Sequence, residues 1–397
     1  LKISYVIGSL STGGAERHVA LVSMELARRG HDVSIYCLLR GAQLEREVLD
    51  SGVNVRGLAQ RNDPSMLSRP VRILALIFSA PLMFFSFLFR RPPIVHFFLP
   101  EAYLVGAMMA RAANLSRLVM SRRSLNNYQV KRPRLTALER KLHGSMTAIL
   151  GNSRRVVEQL ECEGVEKNRL GLIYNGVDLE KFDSETVEGQ NIRHSLNLDD
   201  KALVITIIAN LIPYKGHSDL LEALALVANE MPLNWALIVV GRDDGIGNDL
   251  MAQAKALGIA DNVHFLGLRQ DVASILQASN IGVLCSHEEG FSNALLEGMA
   301  AKLPMVVTDA GGNGEAVIDG VTGKVVPISD PEALGSAILQ LVTDPSLAKK
   351  MGIAGRKRIE QQFSLGSCVD RYEEFYRSLI QGKSVAEISG VGLKKQS

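Results

Sequence analysis

Cysteine is scarce in this 397-residue chain: Cys37, Cys162, Cys285 and Cys368 stand far apart and form no C-x-x-C pair. That pattern excludes a disulfide scaffold and a zinc ribbon. It suits a reducing compartment, with Cys37 and Cys285 as buried thiols in strand-like apolar runs. No G-x-G-x-x-G fingerprint is present, which disfavours a dinucleotide site, and no glycine-rich loop ends in the lysine and hydroxyl of a P-loop. Acidic clusters with metal-ligand spacing are missing too; Asp199-Asp200 and Asp243-Asp244 read as loop charges, so no metal is expected. Without zinc-finger spacing or a basic run interleaved with aromatics, nucleic acid is not an expected partner. Nor is any apolar run long enough to span a bilayer. Ile73–Phe89 would form a helix about 25 Å long against a hydrocarbon core of about 30 Å, and Pro81 interrupts it. The first strand candidate starts at Ile3 and leaves no room for a signal peptide, so a cytoplasmic location is expected.

What is present is an alternation of strand and helix patterns over nearly the whole length. It points to an α/β fold, in two domains because the chain is too long for one typical core. Strands are expected at Ile3–Ile7, Val33–Leu38, Ile94–Phe98, Leu118–Met120, Ala148–Leu150 and Arg169–Ile173. In the second half they are Leu203–Ala209, Ala236–Val240, Val263–Leu266, Ile281–Cys285, Met305–Val307 and Lys324–Val326. Gln190–Lys201 is polar and breaks the rhythm, which places the linker near Asp178 to Asp200. Ser364–Gly382 reads as an amphipathic helix, and the tail from Lys383 is expected to be mobile.

The net charge of +2 hides an asymmetry. Through Lys181 there are roughly 26 basic residues against 15 acidic, leaving about 18 against 27. A basic first half favours an anionic partner, such as a membrane surface or a phosphorylated acceptor. Ile73–Phe89 lies between Arg69 and Arg72 on one side and Arg90 and Arg91 on the other. Such a helix, apolar all round, must cover both faces. One face is expected on the sheet; the other lies either in a membrane interface, with the arginines at headgroup level, or within protein.

The stretch Glu289-Gly-Phe-Ser-Asn-Ala-Leu-Leu-Glu297 carries the most chemistry. It follows a strand candidate, at the carboxyl end where open α/β sheets bind ligands. Eight residues are close to two helical turns, which sets the carboxylates on nearly one face, roughly 12 Å apart. Amides around Gly290, Phe291, Ser292 and Asn293 can meet a phosphate at a helix start. Sugar, phosphate and ribose occur in that order in a nucleotide-sugar. Two further segments fit phosphate. Gly13-Gly14 opens a helix after the first strand, and paired glycines let amides approach a ligand closely, although an ordinary turn reads the same way. Lys215, followed by Gly216 after the strand Leu203–Ala209, reads as a diphosphate clamp or as a solvated loop lysine.

Taken together, Gly13-Gly14-Ala-Glu-Arg17, Tyr174-Asn-Gly-Val-Asp178, Lys215-Gly216, Val263-His-Phe-Leu-Gly267, the Glu289…Glu297 pair and Gly311-Gly312…Glu315 resemble the retaining glycosyltransferases of the GT-B fold, family 4 (glycosyl transferases group 1), of the bacterial cell-surface polysaccharide type. The resemblance covers nearly the whole chain. It implies two Rossmann-like, doubly wound parallel-sheet domains facing a cleft: an acceptor-binding domain over 1–180 and a nucleotide-sugar domain over 181–365. The last part, 366–397, is then a helix crossing back to the first domain, plus the tail. Glu289 would hold the donor sugar, Glu297 the ribose, and Lys215 with the amides near Phe291–Asn293 the diphosphate. Gly13 and Gly14 would approach it across the cleft, and Phe265–Arg269 would line the base. Two positions depart from the family pattern. Asn210 stands where relatives carry an arginine, which Arg269 or Arg242 would have to replace. The usual cleft histidine is absent from Ser121-Arg122-Arg123, leaving His96 as a candidate on the preceding strand.

The expected reaction is metal-independent sugar transfer with retention, needing no cofactor beyond a UDP- or GDP-linked donor. The expected acceptor is a glycan or lipid-linked sugar at the cytoplasmic face of the membrane, with Arg122 and Arg123 near its phosphate or headgroup. The competing readings are a sugar-nucleotide-binding protein without transfer activity, and a UDP-sugar 2-epimerase or phosphorylase on the same fold.

Overall fold

The computed structural model describes residues 1–58, 69–130, 132–183, 187–388 and 390–391. The chain divides into two compact units, Leu1–Gly176 with Leu365–Ser397, and Val177–Ser364. Each is built on one parallel sheet. The first sheet holds β1 (Lys2–Ile7), β2 (Asp32–Leu39), β3 (Asn54–Leu58), β4 (Ile94–Phe98), β5 (Leu118–Arg122), β6 (Ala148–Gly151) and β7 (Leu170–Leu172), in the order 3-2-1-4-5-6-7. The second holds β8 (Leu203–Ile208), β9 (Trp235–Val240), β10 (Val263–Gly267), β11 (Ile281–Leu284), β12 (Met305–Thr308) and β13 (Gly323–Val326), in the order 10-9-8-11-12-13. Parallel strands covered by helices on both faces must be apolar throughout. β4, β9, β11 and β12 are buried at every residue, as the expected apolar runs require. β3 was not expected. Its Asn54 and Gly57 break the apolar run, and it lies at the sheet edge.

The order reverses between β1 and β4 in the first sheet and between β8 and β11 in the second. Successive crossovers leave those neighbours toward opposite sides, so a crevice opens at their carboxyl ends.

Three expectations need correction. The stretch expected as a linker contains the helix Val187–Ser195, which belongs to the second unit. Arg193 ties it there by donating to the carbonyls of Ala278 and Ala202 at 2.9 Å. The described part of the tail expected to be mobile is anchored: Val385, Ile388 and Val391 are buried in the first unit's core, and the Leu172 amide donates to the Val391 carbonyl; 389 and 392–397 lie outside the described residues. Pro81 does not interrupt its helix, which runs from Arg69 to Arg90. Of the side chains described there, Ser79, Met83 and Phe87 are buried, and the Phe87 ring packs 5.0 Å from Tyr36. The opposite stripe is open, with Ile77 59%, Phe78 61%, Leu82 54%, Phe85 53% and Phe89 81% exposed. Among the described residues no helix is long and apolar enough to cross a membrane.

Helix Leu365–Ile380 closes the first unit. Its buried face, including Tyr372, Phe375 and Tyr376, packs on the sheet's core. On its rim Arg29 pairs with Asp370 and Glu373, and His31 with Glu373.

Candidate functional site

The loops after β8 and β11 meet at the second sheet's reversal point. Pro213–Lys215 form a single 3-10 turn that ends on Gly216 at φ +71°. A Cβ on Gly216 would lie 2.0 Å from the Cys285 carbonyl oxygen, so glycine is needed for the loop to approach β11 this closely. The turn aims Lys215 at the other loop, where its Nζ is 2.6 Å from Glu289 Oε1. Ser286 Oγ donates to the same oxygen at 2.9 Å. The His287 amide donates to the Tyr214 carbonyl, and the His287 ring is 2.7 Å from Asp219. Two loops distant in sequence are thus joined at four residues around one ammonium and one carboxylate.

The Glu289 loop is braced from the far side by the loop after β12. Gly311 has φ +55°, and a Cβ there would sit 1.8 Å from the Glu289 carbonyl oxygen. The Gly312 amide donates to the Gly290 carbonyl at 3.0 Å, and Thr308 Oγ1 donates to the Ser286 carbonyl at 2.5 Å.

Ser292 then caps the helix Asn293–Ala300, its hydroxyl accepting from the Leu295 amide. First-turn amides have no carbonyl partner inside a helix, which leaves a positive end beside Glu289 and Lys215. Glu289 lies in the loop entering the helix, as expected, but because the helix begins only at Asn293, Glu297 lies just over one turn in and not two. The expected two-turn spacing on one face therefore does not apply. Phe291 is buried against Phe363, ring centres 5.3 Å apart, so this residue can offer a ligand its backbone and not its ring. Glu297 is also largely enclosed. The arrangement can grip hydroxyls with carboxylates and a diphosphate with an ammonium and amides. Among the described residues, no three His, Cys, Asp or Glu side chains stand together as a metal site.

The candidates Gly13, Gly14, His96, Arg122 and Arg123 belong to the first unit. Gly13 is the extended N-cap and Gly14 the first residue of the helix Gly14–Arg28. Glu16 folds back over Gly13, and burial pushes its carboxyl up. His96 is fully buried, its ring nitrogens 2.7 Å from the Tyr376 and Ser121 hydroxyls. It therefore holds the C-terminal helix to the sheet and is enclosed there. Arg122 is likewise withdrawn, 4% exposed and paired with Glu139 and Glu163. Removing one partner from such a buried cluster strands the others. Arg122→Met is expected to cost about 3–5 kcal/mol, read from the urea midpoint.

Acid should attack the same cluster. Burial pushes Glu163 up, but hydrogen bonds from His143 and Arg122, with the charge of Arg122, outweigh it and hold the carboxyl at about 2. In the second unit, burial and then the charge of Lys215 push His217, just beyond the Lys215 turn, down to about 4. Both depressions give stability that is present above the unfolded values. The His217 share fades as pH falls from 6.5 to about 4, and the Glu163 share as pH falls below 4.5 toward 2. A melting temperature that stayed flat from pH 7 to pH 3 would contradict this.

Residues 189–358 match the family model described as glycosyl transferases group 1, and residues 12–181 match the one described as glycosyltransferase family 4. The chain belongs to glycosyltransferase family 4. The putative glycosyltransferase EpsD of Bacillus subtilis (strain 168) is 32% identical over 51% of this chain and 52% of its own. The capsular polysaccharide biosynthesis glycosyltransferase CapM of Staphylococcus aureus is 24% identical over 79% of this chain and 84% of its own. The chain spans about half the length of several of the curated relatives it matches. Anabaena Alr3699/HepE, crystallised with UDP and glucose, superposes with a TM-score of 0.82 at 19% identity, covering 95% of this chain and 100% of that one. WaaG, a glycosyltransferase involved in lipopolysaccharide biosynthesis, gives 0.74 at 18% identity, covering 94% and 99%. At these identities the likeness shows the fold, which is GT-B.

In this family 4 chain the departures from the family pattern have visible consequences. Asn210 cannot supply positive charge; its side-chain oxygen accepts from the Arg242 amide. The two arginines considered as replacements lie beside aspartates, Arg242 with Asp244 and Arg269 with Asp271. These are exposed pairs two residues apart, weak enough to exchange for a phosphate. Ser286, Tyr214 and the His287–Asp219 pair went unnoticed in the sequence. Their residue types are ordinary for loops, and only the crossing of β8 and β11 brings them to Lys215.

Proposed function

We propose that this chain is a retaining, metal-independent glycosyltransferase that moves a sugar from a UDP- or GDP-linked donor to a glycan or lipid-linked acceptor. The observation that carries this reading is the Lys215–Glu289 pair beside the capped start of the helix Asn293–Ala300. Transfer breaks the anomeric C–O bond and leaves an oxocarbenium-like sugar and a nucleoside diphosphate anion. Catalysis then rests on charge already in place where that anion forms. Lys215 would turn from Glu289 to the diphosphate, joined by the first-turn amides, and the released Glu289 would take sugar hydroxyls. The acceptor hydroxyl attacks on the face the phosphate leaves, and its proton passes to the departing phosphate oxygen. Glu297 would hold the ribose, and Gly13 and Gly14 are further donor-binding candidates. A structural neighbour binds UDP-glucose, and a relative in Escherichia coli is a UDP-Gal:alpha-D-GlcNAc-diphosphoundecaprenol alpha-1,3-galactosyltransferase; both support the reading.

Thermal-shift screening against nucleotide-sugars tests it. A donor at a hundred times its Kd should stabilise the fold by about 2.7 kcal/mol. Turnover of the responding donor separates transfer from mere binding. Silence toward every UDP- and GDP-sugar, or a response that Lys215→Ala leaves intact, would overturn the assignment.

A lipid-linked acceptor would bring the chain to the cytoplasmic face of the membrane, and the open stripe of the helix Arg69–Arg90 fits that contact. Full burial of a phenylalanine contributes about 1.5–3 kcal/mol, so three on one face are a substantial anchor. Replacing Phe78, Phe85 and Phe89 with serine should abolish sedimentation with anionic vesicles while the donor-induced thermal shift persists. Unchanged sedimentation would show that this stripe is not the contact.

A further inference from the structure

Among the described residues, the three most enclosed arginines are thoroughly engaged. Arg122 meets two carboxylates. Arg193 donates to the carbonyls of Ala278, Asp199, Asp200 and Ala202 and to Asn280. Arg356 meets Glu360, Asp183 and the Ala300 carbonyl. Arg123 is different. It lies one residue beyond the end of β5, partly open to solvent, and its Nη2 donates to the neutral side chain of Asn175. Its other polar neighbour is the Tyr372 hydroxyl. The Arg123 Nε is enclosed with no hydrogen-bond partner, and no carboxylate among the described residues pairs with it.

The surroundings offer no compensation. His18 and His96 are both buried and held neutral, first by burial and then by the charge of Arg123. A guanidinium whose Nε is enclosed without a partner, and which has no anion beside it, is costly, and that cost is usually lifted by a counter-charge. This one stands at the carboxyl end of a parallel strand, next to β4 of the reversal point, where such sheets take ligands.

We propose that Arg123 is an oxyanion-binding residue that recognises a phosphate ester or a carboxylate on the acceptor, with Asn175 holding its guanidinium plane. Calling the ligand an acceptor rests on the glycosyl-transfer reading; the binding of an anion does not. Arg122, its neighbour in sequence, is the structural arginine of the pair.

The test is made in a Lys215→Ala background, so that the proposed diphosphate clamp contributes nothing. Inorganic phosphate and malonate are titrated by calorimetry, and melting temperatures are recorded without anion. Arg123→Met should weaken whichever anion binds by at least about tenfold. It should leave the anion-free melting temperature unchanged or raised, because it removes an uncompensated charge and keeps the stem. Arg122→Met should lower it. Binding of phosphate assigns the site to a phosphate ester, and binding of malonate to a carboxylate. The proposal is overturned if neither anion binds, if Arg123→Met leaves affinity intact, or if Arg123→Met destabilises as Arg122→Met does. None of these results depends on sugar transfer, so a failure here leaves the reading of the Lys215 site standing.

Discussion

Lys215→Ala should lower kcat/KM by about 10²–10³, which is about 2.7–4 kcal/mol of barrier, the usual effect of removing one donor from a developing anion. The magnitude follows from how few positive groups stand at this site. Asn210 has no charge, and Arg242 and Arg269 would first have to exchange their exposed pairs with Asp244 and Asp271. Lys215 is then the ammonium proposed to meet the diphosphate at the reversal point of the second sheet, with the helix-end amides beside it. Folding should survive, since the Lys215–Glu289 pair keeps some solvent contact and Ser286 still holds Glu289 when the lysine is gone. The measurement is steady-state kinetics with the donor found by thermal shift, beside a melting curve. Turnover within about threefold of the unaltered protein, with the fold intact, would mean that the leaving group is stabilised elsewhere. Glu289→Gln gives the complementary reading. It frees Lys215 from its partner but weakens the grip on sugar hydroxyls, so discrimination between donor sugars should suffer more than the response to the nucleotide alone.

Legibility in the sequence followed the range of the interactions involved. Strands such as Trp235–Val240 and Ile281–Leu284 are buried on both faces, so solvent exclusion writes itself into consecutive residues. Lys215, Glu289 and the helix start were found because each sits just past such a run. β3 escaped because an edge strand of five residues containing Gly57 carries no such signature. The tail escaped for a related reason. Val385, Ile388 and Val391 are single apolar residues among polar ones, and nothing local says that β7 will receive them. Arg122 and Arg123 show the limit most sharply. Adjacent and identical in type, they differ only in what distant elements bring to them: Glu139 and Glu163 to one, a neutral asparagine and a tyrosine to the other.

Gly311→Ala is expected to damage both stability and activity, and a second glycine separates the causes. Gly311 and Gly320 both hold left-handed backbone, at φ +55° and +72°. An alanine in that conformation costs about 1–2 kcal/mol. At Gly320 nothing lies within 4 Å of the added Cβ, so Gly320→Ala should show that backbone cost and no loss of turnover. At Gly311 the Cβ would meet the Glu289 carbonyl oxygen at 1.8 Å and its carbon at 2.6 Å. Both are backbone atoms and cannot swing aside as a side chain would. Relief must come from moving the Glu289 segment, which breaks or stretches the Gly312–Gly290 hydrogen bond and carries the Glu289 carboxylate with it. A displacement of about 1 Å at a positioned group can cost about 10²-fold in rate. Gly311→Ala should therefore melt below Gly320→Ala and lose about two orders of magnitude in kcat/KM, whereas Gly320→Ala keeps its rate. Equal activity in the two variants would mean that the Glu289 loop does not need its brace, and that the carboxylate's placement is set from the β11 side alone.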